Sequence, residues 1–135
     1  MTSAKMRGND HRYPHDHNGK LGRWGEGLAE QAALERGYRI LCKNVRTPFG
    51  EIDLIAQAGE ELVFIEVKTR SNAAFGEPEE AVSKPKARHL IASCETFLQL
   101  HPELPQTWRI DVVAIKRLSP EKGEELVWFE DAIHG

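Results

Sequence analysis

The chain has 135 residues, a length that suits one domain, with 40% apolar and 29% charged residues and a formal net charge of −3. Cys42 and Cys94 are too few for a disulfide scaffold or a cysteine-built zinc site. No stretch reaches the ~20 apolar residues of a membrane span, and no apolar segment follows the basic N-terminus as a secretory signal would, so the expected setting is the reducing cytoplasm, with no membrane partner. The acidic balance argues against a nucleic-acid partner, but it averages a segregated charge: Met1–Gly25 carries +3 and Glu26–Gly135 carries −6.

Residues 1–20 are polar and rich in Gly, Asn and Pro, which predicts a disordered tail before a single domain over 21–135. His11, His15 and His17 in that tail are read as solvated groups rather than a metal site. Trp24–Arg36 reads as a helix, with Leu28, Ala29, Ala32 and Ala33 at helical spacing and Gly37 as the stop. Tyr38–Arg46 is a strand candidate, Thr47-Pro48-Phe49-Gly50 a turn, and Glu51–Gln57 and Leu62–Thr69 two strands of a hairpin around residues 58–61. A loop over Arg70–Pro78 leads to a second helix, strongest over Lys86–Leu100, whose Ala87, Leu90, Ile91, Cys94, Phe97 and Leu98 form one stripe. Trp108–Lys116 is a further strand, and Leu126–Phe129 a short last one. Helix, three strands, helix, strand predicts an α/β fold, a mixed sheet with helices packed on it.

The hairpin carries the chemistry. Alternation puts Ile52, Leu54 and Ala56 on one face of the first strand and Glu51, Asp53 and Ile55 on the other; in the second, Val63, Ile65 and Val67 oppose Leu62, Phe64, Glu66 and Lys68. A four-residue loop then pairs Gln57 with Leu62, Ala56 with Val63, Leu54 with Ile65 and Asp53 with Glu66. Two carboxylates directly opposite, roughly 5 Å apart at Cβ, repel unless something positive lies between them. With Lys68 two residues on, the set describes a divalent-cation site whose oxygen donors suit Mg²⁺ or Mn²⁺ rather than zinc. Glu26 lies at the edge of the first helix's small-residue face and reaches the same place, with Glu30 as the alternative.

Gly22-x-Trp24-Gly25-Glu26, Asn44-x-Arg46, Gly50–Ala56, Phe64–Arg70, Phe75-Gly76-x-Pro78, Glu80-Ala81-Val82 and Arg109–Val113 together resemble the YraN-like bacterial proteins, over about Gly22–Ile115. Those belong to the restriction-endonuclease-like (PD-(D/E)xK) superfamily and are similar to archaeal Holliday-junction resolvases. The resemblance implies a three-layer endonuclease-like sandwich and Mg²⁺-dependent phosphodiester cleavage, with nucleic acid, foremost branched DNA, as partner. It implies that Asp53, Glu66, Glu26 and the Val67 carbonyl hold the metal while Lys68 assists catalysis. It also implies a homodimer, as resolvases use on two-fold symmetric junctions. Ile52 stands where the superfamily often has proline.

Around this core, Arg46 and Arg70 either grip phosphates or pair with Glu51 or Asp53. Lys84, Lys86 and Arg88, with His89, form either a solvated face or a phosphate-backbone contact. Asp111 reads as the partner of Arg109 more readily than as part of the site, and Trp24, Trp108, Trp128, Cys42 and Cys94 read as packing residues. Two other functions fit the sequence: a non-catalytic nucleic-acid- or protein-binding module that keeps the fold, and a small domain in which Glu66–Lys68 and Asp53–Arg46 are surface ion pairs.

Overall fold

The structure, a computed structural model, describes residues 19–70 and 82–134. The first eighteen residues of the expected tail and most of the expected loop, with its Phe75-Gly76-x-Pro78 motif, lie outside the described residues. The elements in order are α1 (Gly19–Glu35), β1 (Arg39–Thr47), β2 (Gly50–Ala58), β3 (Glu61–Arg70), α2 (Lys84–Leu100), β4 (Thr107–Arg117) and β5 (Glu124–Phe129). Helix α1 begins at Gly19, five residues before the Trp24 at which the sequence pattern starts it.

The sheet runs β1-β2-β3-β4-β5. The β1–β2, β2–β3 and β4–β5 neighbours are antiparallel, and β3–β4, joined through α2, are parallel. A hairpin loop cannot join parallel strands, so the crossover takes the helix to one face of the sheet. Both faces are covered. On one, α1 brings Ala29 and Ala33 against Leu54, Ala56, Val63, Ile65, Val113 and Ile115. On the other, α2 brings Leu90, Cys94, Phe97 and Leu98 against Ile52, Ile55, Leu62, Phe64, Ile110 and Val112. The protein is thus a three-layer α/β sandwich, the layering that the family resemblance implies, around the mixed sheet that the order of elements predicts. Trp24 and Trp128 pack on the first cluster and Trp108 on the second, the packing roles expected of them.

Each helix is fixed at one end by a local cap. Gly37, at φ +86°, closes α1: its N–H donates to Leu34 O at 2.9 Å and that of Tyr38 to Ala33 O at 3.0 Å, the paired bonds of a left-handed helix stop. Ser83 caps α2, its Oγ accepting from Lys86 N at 3.2 Å, and Pro85 follows in the first turn, where no N–H is needed.

The hairpin register is the expected one, Gln57 with Leu62, Ala56 with Val63 and Leu54 with Ile65. Ala58 also pairs with Glu61, so the connection is the two residues Gly59-Glu60 rather than four. Two expectations fail. The last described pair of the β2–β3 ladder is Leu54–Ile65, so Asp53 and Glu66 are not ladder partners. Nor does Ile52 share a face with Leu54 and Ala56; it lies with Ile55 on the α2 side. Residues three apart fall on opposite faces of a regular strand. Here Ile52 and Ile55 share one face, and so do Cys42 and Val45 across from them. Both strands therefore lose phase at the same level, between the Lys43–Leu54 and Val45–Ile52 pairs. Asn44 lies at that level in β1 at φ +53°, a left-handed conformation that asparagine tolerates, and β1 also shifts register between Ile40 and Cys42.

Candidate active site

A cleft of about 610 Å³ opens where β2 and β3 separate, walled by α1 on one side and the first turns of α2 on the other. Its lining includes Glu26, Glu51, Asp53, Glu66, Val67, Lys68, Arg70 and Lys86. All four residues expected to be catalytic, Asp53, Glu66, Lys68 and Glu26, are therefore together. So is Val67, expected to supply a carbonyl.

The out-of-phase step in β2 decides where Asp53 points. Its carboxylate substitutes for the missing rung of the ladder, accepting from the Val67 backbone N–H at 2.8 Å. That bond stabilises the charged form, yet burial, then the nearby Glu66 and Glu26 carboxylates, push the Asp53 carboxyl well above its ordinary range. Asp53 thus sits in a concentration of negative charge that favours its protonated form.

Glu66 is 4% exposed, which rules out a surface ion pair. Lys68 Nζ lies 3.4 Å from its Oε2, and Lys86 Nζ reaches the same oxygen from α2 at 3.2 Å. Burial lowers the Lys68 pKa, with Glu66 opposing and Lys86 reinforcing the shift; Glu66 raises that of Lys86. Lys86 remains half-exposed at the mouth of the cleft.

Glu26 owes its position to its neighbour. A Cβ on Gly25 would come within 1.9 Å of Thr69 Cγ2 on β3, so only glycine lets α1 approach this closely. One residue on, Glu26 Oε1 accepts from Asn44 Nδ2 at 3.1 Å. The irregular Asn44 thus orients the acid of one layer from the strand of another. Glu30, the alternative, pairs instead with Lys43 at 3.2 Å.

The basic candidates divide. Arg70 and Lys86 line the cleft. Arg46 stands opposite Glu51 in the β1–β2 ladder and lies outside the lining, and Lys84 and Arg88 are exposed on α2 away from it. Asp111, on β4 opposite Ile65, is fully buried and outside the cleft lining: it accepts from Arg109 Nε at 2.9 Å, Trp128 Nε1 at 2.8 Å and the Asp131 N–H at 2.8 Å. This is the structural pairing the sequence favours.

Phe49 and Ser93 of the lining, and Asn44, which holds Glu26 from outside it, are absent from the sequence-based site. Asn44 left a trace, since asparagine is depleted in strand interiors. Ser93 left none, because only the packing of α2 on the sheet turns it to the cleft, which His89 of the basic cluster also lines.

Residues 25–115 match the family described as "Uncharacterised protein family UPF0102". The chain belongs to this family. It is 47% identical over 95 residues to a UPF0102 protein of Anaeromyxobacter dehalogenans, covering 70% of this chain and 71% of that one. It is 42% identical over 108 residues to one of Dehalococcoides mccartyi, covering 80% and 89%. A third, from Chlorobium phaeobacteroides, is 45% identical over 102 residues, 76% of this chain and 78% of that one. The UPF0102 match spans the elements that build the cleft, from Gly25 on α1 to Ile115 on β4.

Among the described residues no three His, Cys, Asp or Glu side chains form a ready-made metal cage. The donor set nevertheless fits a hard divalent cation. It consists of carboxylates, it holds no thiol, and the electrostatic strain at Asp53 is of the sign a cation relieves. Glu66, Asp53 and Glu26 would hold the ion after small side-chain adjustments.

Proposed function

We propose that this UPF0102 protein is a Mg²⁺- or Mn²⁺-dependent nuclease that hydrolyses phosphodiester bonds in nucleic acid, with branched DNA as its foremost candidate substrate. The observation that carries the reading is the buried, charge-strained Asp53 beside Glu66 and Lys68 in an open cleft. A bound divalent cation would polarise the scissile phosphate and lower the pKa of a coordinated water.

The remaining work falls to the chain's own groups. Lys68, its proton loosened by burial, donates a hydrogen bond to a phosphoryl oxygen and stabilises the charge that develops there. Lys86 and Arg70 at the cleft mouth bind flanking phosphates. Asn44 fixes the Glu26 carboxylate, so that the helix acid meets the strand acids without rearranging the backbone. The Val67 N–H holds Asp53 in one orientation.

Purified protein incubated with flapped, four-way and single-stranded DNA in Mn²⁺ tests this. The expected result is cleavage of at least one substrate by the wild type and at least a hundredfold loss in Glu66→Ala. Equal cutting by both proteins overturns it. One observation favours a non-catalytic binding module: Glu66 already has two lysine partners. That reading predicts no Mn²⁺ affinity at millimolar concentration, which calorimetry measures.

A further inference from the structure

Phe49 is 49% exposed, at the tip of the turn between β1 and β2, and it lines the cleft. A single exposed aromatic is ordinary on a protein surface. This one differs in how firmly its turn is held. Thr47 Oγ1 donates to Gly50 O at 3.0 Å and accepts from the Phe49 N–H at 3.0 Å. Thr47 Oγ1 and Ser93 Oγ are also hydrogen-bonded at 2.8 Å, where both residues are buried, which fastens the turn to α2. Gly50 sits at φ +141°, which glycine alone adopts freely, and Pro48 fixes the preceding dihedral. A mobile tip would be the simplest way to leave a large apolar ring in water. The sequence instead anchors it beside the cleft.

Phe49 is four residues from Asp53, no more than about 13 Å along the strand. An aromatic ring at that distance meets the nucleotides beside the scissile phosphate. In a duplex both faces of each base are covered by its neighbours, so a ring gains little there. An unstacked base offers a free π-face, and stacking on it is tolerant of sequence. The geometry points to Phe49 as a stacking platform for an unpaired nucleobase flanking the cleavage point, so that the substrate is single-stranded or opened at a branch. This rests on the nuclease reading and names the substrate class of the same cleft.

Binding of a 12-nucleotide single-stranded DNA and of the blunt duplex of the same sequence, followed by fluorescence anisotropy in Ca²⁺, tests the inference. Ca²⁺ takes the same oxygen donors. Phe49→Ala should weaken single-strand binding by between about fivefold and a hundredfold, with duplex binding and melting temperature unchanged. Phe49→Trp should restore it. If the wild type binds the single strand and Phe49→Ala binds it within twofold, the stacking role is overturned while the nuclease reading stands. An equal loss on single strand and duplex also overturns it. A wild type that binds no nucleic acid overturns both.

Discussion

At neutral pH and without a cation, the Asp53 carboxylate is a destabilising charge, because burial and the neighbouring acids Glu66, Glu26 and Glu51 favour its protonated form. Its folded pKa lies above the unfolded value, so its contribution to stability is fully present below the ordinary aspartate range and is lost as pH rises through the raised folded value. Asparagine keeps an oxygen for the Val67 N–H and removes the charge. Asp53→Asn should therefore gain about 1 kcal/mol over the wild type at pH 7, with a smaller difference at pH 4, by urea unfolding. Adding Mn²⁺ at ten times its dissociation constant should stabilise the wild type by about 1.4 kcal/mol and leave the variant unmoved. At Lys86 the two ligands should respond in opposite directions. Lys86→Gln removes one of the two ammonium groups on Glu66 Oε2, so Mn²⁺ affinity should rise about two- to fivefold by calorimetry. Nucleic-acid affinity should fall in the same variant; parallel changes would contradict the assignment.

At the scale of elements, the site depends on how closely α1 lies on β3. Gly25→Ala gains about 1 kcal/mol of helix propensity and loses about 1–3 to overpacking against Thr69. It should lower the melting temperature, and Thr69→Ala should rescue it, because the double variant removes the atom that clashes. Additive effects in that cycle would show that the contact does not couple the two elements. The elements were legible for ordinary reasons. Ala29 and Ala33 at helical spacing marked the buried face of α1, and the apolar alternation of Val63 and Ile65 against Leu54 and Ala56 fixed the parity of the hairpin register, which the short loop then set. The loss of phase at Asn44 and Asp53 was not legible, because a period-two reading assumes regular strands. It placed Ile52 on the wrong face and made Asp53 a ladder partner of Glu66. In the structure the carboxylate bonds to the backbone beyond the ladder instead. Glu26 and the strand residue Asn44 meet only through the stacking of layers, which no local pattern records.

Over the whole molecule, the net charge of −3 is a poor guide to partners. Among the described residues four carboxylates and three fixed cations line the cleft, so with every one of them ionised they are mildly repulsive to phosphate, and one divalent cation reverses the sign. Nucleic-acid binding should therefore be weak in EDTA and strengthen with Mg²⁺. With Lys68, Arg70 and Lys86 as the phosphate contacts, log affinity for duplex should fall against log salt with a slope of about −3. A slope near zero would mean that these cations do not face phosphate. Among the described residues no helix is long and apolar enough to cross a membrane. The claim on which the account turns is that the acids of the cleft hold a divalent cation. Crystals soaked in millimolar Mn²⁺ test it directly by anomalous diffraction. The account predicts one ordered ion between Asp53 and Glu66, with Lys86 displaced from Glu66. An ordered cleft without an ion, and with both lysines still on Glu66, would contradict it.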